Sequence, residues 1–150
     1  MPNCRSKGFT LIELLVVVLI IGILAAIGIP TLLNAIDRGK QKRSMAEIRG
    51  LGGAIQAYSV DHDLFPLGSD VSTLVTVLQG EYVARVTPAD AWGHPFLYTG
   101  MAADYTVGSA GKDGGASLVL LGSGGETSFF VDDIIYSKGS FVQWPAGVQR

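Results

Sequence analysis

Hydrophobic positions are spread unevenly along the 150 residues. From Phe9 to Ile29 the chain is an apolar run of 21 residues in which Glu13 is the only charge. At about 1.5 Å per residue, a helix of that length spans about 30 Å, the thickness of a bilayer core. Past Pro30 the pattern changes. Leu33, Ile36, Met45, Ile48, Leu51, Ile55 and Tyr58 recur at helical spacing, with Asp37, Arg38, Lys40, Lys42, Arg43, Glu47 and Arg49 filling the other face. This predicts an amphipathic helix whose charged face meets solvent or a neighbouring subunit. It should end near His62, with Phe65-Pro66 as the stop. Pro30 has no amide hydrogen and crowds the carbonyl of Ala26, at a cost of about 3 kcal/mol in a helix interior. With Gly22 and Gly28 nearby, a kink or melted turn is expected within residues 22–30.

Beyond residue 64 the apolar runs shorten and glycine punctuates them. Ser69 or Asp70 can cap a short helix over residues 71–78, closed by Gly80. A turn-rich segment at 88–96 follows, where Trp92 is expected as a core aromatic pinning the loop to the long helix. Short strands are predicted over 96–99, 105–109, 118–121, 134–136 and 141–144. The expected fold is α+β: a long N-terminal helix, membrane-spanning over 9–30 and amphipathic over 31–64, packed on a small antiparallel sheet within a head of residues 65–150.

Composition sharpens this. Apolar residues make up 48% and charged residues only 16%, against about 25% charged in a typical soluble domain. The excess sits in the first helix, which excludes both intrinsic disorder and a plain soluble globule. Eleven basic residues stand against 13 acidic ones, net -2, so no electrostatic footprint for nucleic acid is present. Cys4 is the single cysteine and has no internal partner.

Residues 1–8 are polar and basic through Arg5 and Lys7, and the small residue Gly8 precedes the apolar run. A secretory signal has the opposite order. Two readings follow: an uncleaved single-span anchor, or cleavage at Gly8 that leaves the helix attached. Glu13 favours cleavage. An acidic residue in an apolar span costs about 2.5–3.5 kcal/mol at mid-membrane and less near an end. Cutting after Gly8 would give Phe9 a free α-amine four residues before Glu13, the nearest available counter-charge. Glu13 also lies near the positive end of the helix dipole.

The residues Lys7-Gly8-Phe9-Thr10-Leu11-Ile12-Glu13-Leu14 resemble the leader and mature N-terminus of type IV pilins and pseudopilins. The resemblance implies that a prepilin peptidase cuts between Gly8 and Phe9 and methylates the Phe9 nitrogen. It also implies that Thr10, Glu13 and Pro30 serve assembly, Glu13 of one subunit meeting the Phe9 amine of a neighbour, and that the segment around Pro30 unwinds in filaments. Removing Arg5 and Lys7 with the leader leaves nine basic and 13 acidic residues, net -4. Arg38, Lys40, Lys42 and Arg43 follow the span and outnumber the basic residues before it, which by charge bias places the C-terminal part in the cytoplasm. The resemblance implies the reverse: a single pass through the bacterial inner membrane, N-terminus cytoplasmic and head periplasmic.

Residues 88–96 also resemble the Asp-Pro-Trp-Gly loop of major pseudopilins from type II secretion systems, with Ala91 in place of the proline. Two further segments, 109–114 and 131–134, carry concentrated aspartates and glycines. Read alone, Asp-Gly is an ordinary hairpin turn and adjacent aspartates are usually solvated, whereas calcium takes six to eight oxygens. The resemblance implies a calcium ion stabilising the C-terminal loop, held by the side chains of Asp113, Asp132 and Asp133 and the backbone carbonyl of Ala110.

Enzyme motifs fail on spacing. Residues 108–112 lack the four-residue spacer of a phosphate loop, and Asp113 stands where Ser or Thr would bind magnesium. Residues 115–117 begin like a nucleophile elbow, but Val119 occupies the second glycine position. His62 and His94 are the only histidines and read as surface polar residues. The expectation is a structural subunit without enzymatic activity: a pseudopilin that polymerises into a periplasmic pseudopilus for type II protein secretion. The alternatives are a type IV pilin of a surface pilus and a membrane-anchored binding domain that never polymerises. From Phe9 onwards the chain has no cysteine, which favours the calcium-type head and so secretion. Expected partners are further copies of the chain, the prepilin peptidase and methyltransferase, an inner-membrane assembly platform, minor pseudopilins and, before assembly, membrane lipid.

Overall fold

A computed structural model describes residues 8–115, 124–147 and 149. The chain falls into two units, residues 1–36 and 37–150. Helix α1, Leu11–His62, contributes to both.

In the first unit every large apolar side chain of α1 is exposed, from Leu11 at 83% down to Val16 at 44%. This part of the helix is long and apolar enough to cross a membrane. Leu33 and Ile36, placed by spacing on the apolar face of the second half, are exposed with it. The helix also runs through Gly22, Gly28 and Pro30 without a melted turn, so of the kink or melted turn expected there the melted turn does not form. Pro30 removes one bond from a ladder that is long on both sides, and helix propagation is cooperative. Next to it, Thr31 Oγ1 donates to the Ile27 carbonyl at 3.0 Å, a back-bond that threonine makes within helices.

In the second unit α1 buries one stripe: Asp37, Gln41, Ser44, Ile48, Leu51, Gly52, Ala54 and Ile55. Steps of three and four residues keep these on one side of the helix. Ile48 and Ile55 are fully buried, and each contributes about 1.5–3 kcal/mol by leaving water. Asp37, assigned by its charge to the solvated face, is 8% exposed; a lysine 75 residues away in sequence reaches it.

Helix α2, Val71–Leu78, has Asp70 as its N-cap, whose carboxylate accepts from the Ser72 amide at 2.8 Å. Val71, Leu74 and Leu78 face the core, and Gly80 leaves the helix with φ +95°, a conformation glycine adopts without strain.

Five strands follow: β1 Leu97–Met101, β2 Asp104–Ser109, β3 Gly125–Thr127, β4 Ile134–Ser137 and β5 Ser140–Pro145. Their order is β1-β2-β4-β5-β3. All pairs are antiparallel except β3 with β5, which is parallel. The sheet is therefore mixed, where a wholly antiparallel one was expected. The reason is the β4–β5 hairpin, turned by Lys138 (φ 49°) and Gly139 (φ 86°). Positive φ at both turn residues matches the twist of a two-residue hairpin. The hairpin sends β5 back along the sheet, and β3 joins the outer side of β5 in the same direction. The strand expected over 118–121 lies outside the described residues.

The inner face of the sheet packs on α1. Tyr98, Tyr105, Val107, Ile134 and Tyr136 join Ile48, Leu51, Ala54 and Ile55 in one apolar cluster, with Leu74 and Leu78 of α2. The Tyr98 hydroxyl donates to the Pro66 carbonyl at 2.5 Å. Burial and the neighbouring Tyr136 phenol push Tyr105 up to about 12, and burial raises Tyr98 as well.

Candidate assembly site and polar loop cradle

The N-terminus of α1 is built from Thr10 and Glu13. Thr10 is the residue before the helix, and its hydroxyl accepts from the Glu13 amide at 3.3 Å. Glu13 reaches back, its Oε2 accepting from the Thr10 amide at 2.9 Å and the Thr10 hydroxyl at 2.8 Å. This is a capping box, Thr-x-x-Glu, in which two backbone donors at a helix end are satisfied reciprocally. Both residues are exposed. The arrangement shows how the one acid of the apolar helix is accommodated within a single chain: its carboxylate is met by two local donors. Phe9 stands just outside the box, 75% exposed, and Gly8 precedes it. Gly8, Phe9, Thr10 and Glu13 thus form one contiguous exposed end, while Pro30 lies well inside the helix. The reciprocal capping was present in the sequence as Thr10-Leu11-Ile12-Glu13, and the ion-pair reading of Glu13 obscured it.

In the head, irregular segments converge on the polar part of the α1 stripe. Ser44 Oγ accepts from the Ala91 amide at 3.1 Å. Gln41 Nε2 donates to Gln149 Oε1 at 3.3 Å, and Gln149 Nε2 donates in turn to the carbonyls of Thr127 at 2.6 Å and Ala146 at 3.2 Å. Lys112 Nζ lies 2.7 Å from Asp37 Oδ2. Asp90, 6% exposed, organises the 88–96 loop: its carboxylate accepts from the Trp92 and His94 amides at 3.0 and 2.9 Å and from Ser109 Oγ at 2.6 Å. The loop is thus held on the helix through its backbone amide at Ala91, while Asp90 ties the loop to itself and to Ser109. Trp92 itself is half-buried, with its indole nitrogen enclosed and without a hydrogen-bond partner among the described residues. His94 is not a free surface residue, because its Nδ1 meets the Gly111 carbonyl at 3.0 Å.

The two aspartate-bearing segments do come together through their backbones. The Lys112 amide donates to the Phe130 carbonyl at 2.9 Å. Gly111 has φ +67°, and a side chain there would press on the carbonyl oxygens of Val131 and Asp132. Their carboxylates do not gather. Asp113 Oδ1 accepts from the Gly115 amide at 3.0 Å, and Asp132 Oδ2 accepts from the Phe129 amide at 3.0 Å, so each is turned into its own loop. Asp133 is buried, and its carbonyl accepts from Gln143 Nε2 at 2.9 Å. Ala110 is 2% exposed. Among the described residues, no three of His, Cys, Asp and Glu are grouped to hold a metal. As arranged, Asp113, Asp132, Asp133 and the Ala110 carbonyl do not fit a calcium ion, which takes six to eight oxygens around one point.

An exposed apolar helix with a capped acidic start, followed by a helix-backed sheet, defines the type IV pilin-like class. Residues 3–29 match the model of the prokaryotic N-terminal methylation motif, and residues 31–119 match that of type II secretion system protein G. The chain is 32% identical to type II secretion system core protein G of Vibrio cholerae serotype O1 over 126 residues, covering 74% of this chain and 86% of the relative. It is 30% identical to type II secretion system core protein G of Pseudomonas aeruginosa over 132 residues, covering 77% and 92%. It is also 32% identical over 124 residues to the fimbrial protein EcpC of Eikenella corrodens, covering 83% and 79%. No solved structure matches the chain. The chain belongs to the type II secretion system protein G family, the major pseudopilins.

Proposed function

We propose that this chain is a structural subunit which polymerises into a periplasmic pseudopilus for type II protein secretion. The observation that carries the reading is the apolar half of α1, exposed throughout in the single subunit and bearing one acid at its very start. Such a surface needs lipid or other copies of itself to cover it. Before assembly the helix lies in the inner membrane, with the N-terminus cytoplasmic and the head periplasmic. A prepilin peptidase removes residues 1–8 and methylates Phe9. The subunit then leaves the bilayer through the inner-membrane assembly platform, on a filament tip of minor pseudopilins. In the fibre, Glu13 exchanges its Thr10 donors for the Phe9 amine of a neighbour, which fixes the axial register. Removing one partner of such a dry ion pair costs about 3–5 kcal/mol. The chain acts as building material and catalyses nothing.

Mass spectrometry of the protein purified from its own cells tests this. The expected N-terminus is N-methylated Phe9; an intact Met1 would refute both cleavage and assembly. The fimbrial relative favours a second reading, a surface pilus. Deletion of the gene separates the two: loss of secreted protein with surface fibres unchanged supports the pseudopilus, and loss of surface fibres alone supports the pilus.

A further inference from the structure

The resemblance to major pseudopilins implies a calcium ion at the C-terminal loop, yet the structure supplies the loop with a different cation. Asp37 is buried on α1, and an anion there is costly unless paired. Its partner is Lys112, whose ammonium is 2.7 Å away and whose amide is bonded to the Phe130 carbonyl at 2.9 Å. Lys112 therefore joins three elements: the 109–115 turn that carries it, the 129–132 segment and the long helix. The loop carboxylates are turned apart, one oxygen of Asp113 accepting from the Gly115 amide and one of Asp132 from the Phe129 amide, and among the described residues no three acidic, His or Cys side chains are grouped to hold a metal. We infer that the Lys112–Asp37 pair, with Gln41 and Ser44 beside it, is the lock that fastens the head's loops to the helix, and that this lock works without calcium.

Thermal unfolding of the full chain in detergent micelles, followed by near-ultraviolet circular dichroism, tests the inference. The expected midpoint is the same in calcium chloride and in a calcium chelator. Lys112→Met should lower it by several degrees in both solutions, because it strands the buried Asp37 carboxylate. The double variant Asp37→Met with Lys112→Met should recover much of the loss, since replacing both members of a pair by apolar groups removes the stranded charge. A wild-type midpoint that falls in chelator and returns with calcium would overturn the inference, as would a Lys112→Met midpoint equal to wild type. If the single variant does not fold, the wild-type comparison alone decides. No arm requires filament formation, so the inference stands or falls apart from the proposed function.

Discussion

Replacing Gly52 by alanine should loosen the seat of the sheet on α1. Gly52 is buried at the helix surface where the Tyr136 ring packs close against the backbone. A Cβ there would come 2.9 Å from Tyr136 Cδ1, and closer still to Cε1. Tyr136 has little room to retreat, because Phe141 packs edge-on against it with ring centroids 5.0 Å apart and β4 is buried throughout. Two effects oppose each other. Alanine is the better helix former by about 1 kcal/mol, whereas overpacking a well-filled core costs about 1–3 kcal/mol. An approach well inside van der Waals contact against a stiff ring belongs at the upper end, leaving a net loss of about 1–2 kcal/mol. For a unit of this size that corresponds to a midpoint lowered by roughly 4 °C or more. Gly53 supplies the control: it is the next residue, exposed, with nothing within 4 Å of an added Cβ. Gly53→Ala should keep the helix gain and raise the midpoint. Near-ultraviolet circular dichroism of the full chain in micelles reads both. Equal shifts of the same sign in the two variants would refute the packing argument.

Thr10→Ala removes the cap hydroxyl from the start of α1 and should cost the helix end about 0.5–2 kcal/mol, read as faster amide exchange over residues 11–14. Glu13→Ala should also abolish fibres in electron micrographs of cells, whereas assembly at normal yield would remove Glu13 from the mechanism. Asp90→Ala leaves three donors without their shared acceptor. At about 1.5–3 kcal/mol for a hydrogen bond to a charged group, a loss of at least about 2 kcal/mol is expected in urea unfolding. Tyr98 and Tyr105 have raised folded-state pKa values, the latter about 12. A phenol held neutral contributes stability that is intact below its ordinary value near 10 and is lost as pH rises through the folded value. Ultraviolet absorbance should therefore show these two tyrosinates appearing together with unfolding as pH rises above about 10.

What could be read in advance depended on whether the signal was local. Helix α2 was legible to the residue because a cap, an apolar face and a closing glycine all fall within Asp70–Gly80. Strands β1, β2, β4 and β5 were legible from β-branched and aromatic runs between glycine turns. Strand β3 was not: Gly125-Glu126-Thr127 has no alternation and exists only because β5 offers it an edge. Asp37 was misplaced for the same reason. Its neighbours Arg38 and Lys40 are surface cations, and the residue that buries it is Lys112, which no local pattern reveals. The continuity of the helix at Pro30 went the other way, since a strong local rule was outweighed by the long ladders on each side of it.

The buried stripe of α1 in the head changes character along its length, and the change follows what packs there. Strands arrive with their backbone donors and acceptors already paired in the sheet, so they can be held by apolar contact, and Ile48, Leu51 and Ile55 supply it. Loops arrive with unpaired backbone groups that must be satisfied if they are to be covered. Where the turn at 88–94, the C-terminal segment and the 109–115 turn reach the helix, the stripe accordingly presents Ser44, Gln41 and Asp37. An apolar residue at any of the three would still bury surface but would leave a backbone amide, a glutamine or a lysine without its partner. The polar upper part of the stripe is therefore the same core continued in the chemistry that loops require. Sequence reading that expects a buried helix face to be apolar will miss the two turns from Ser44 back to Asp37 in a head of this kind.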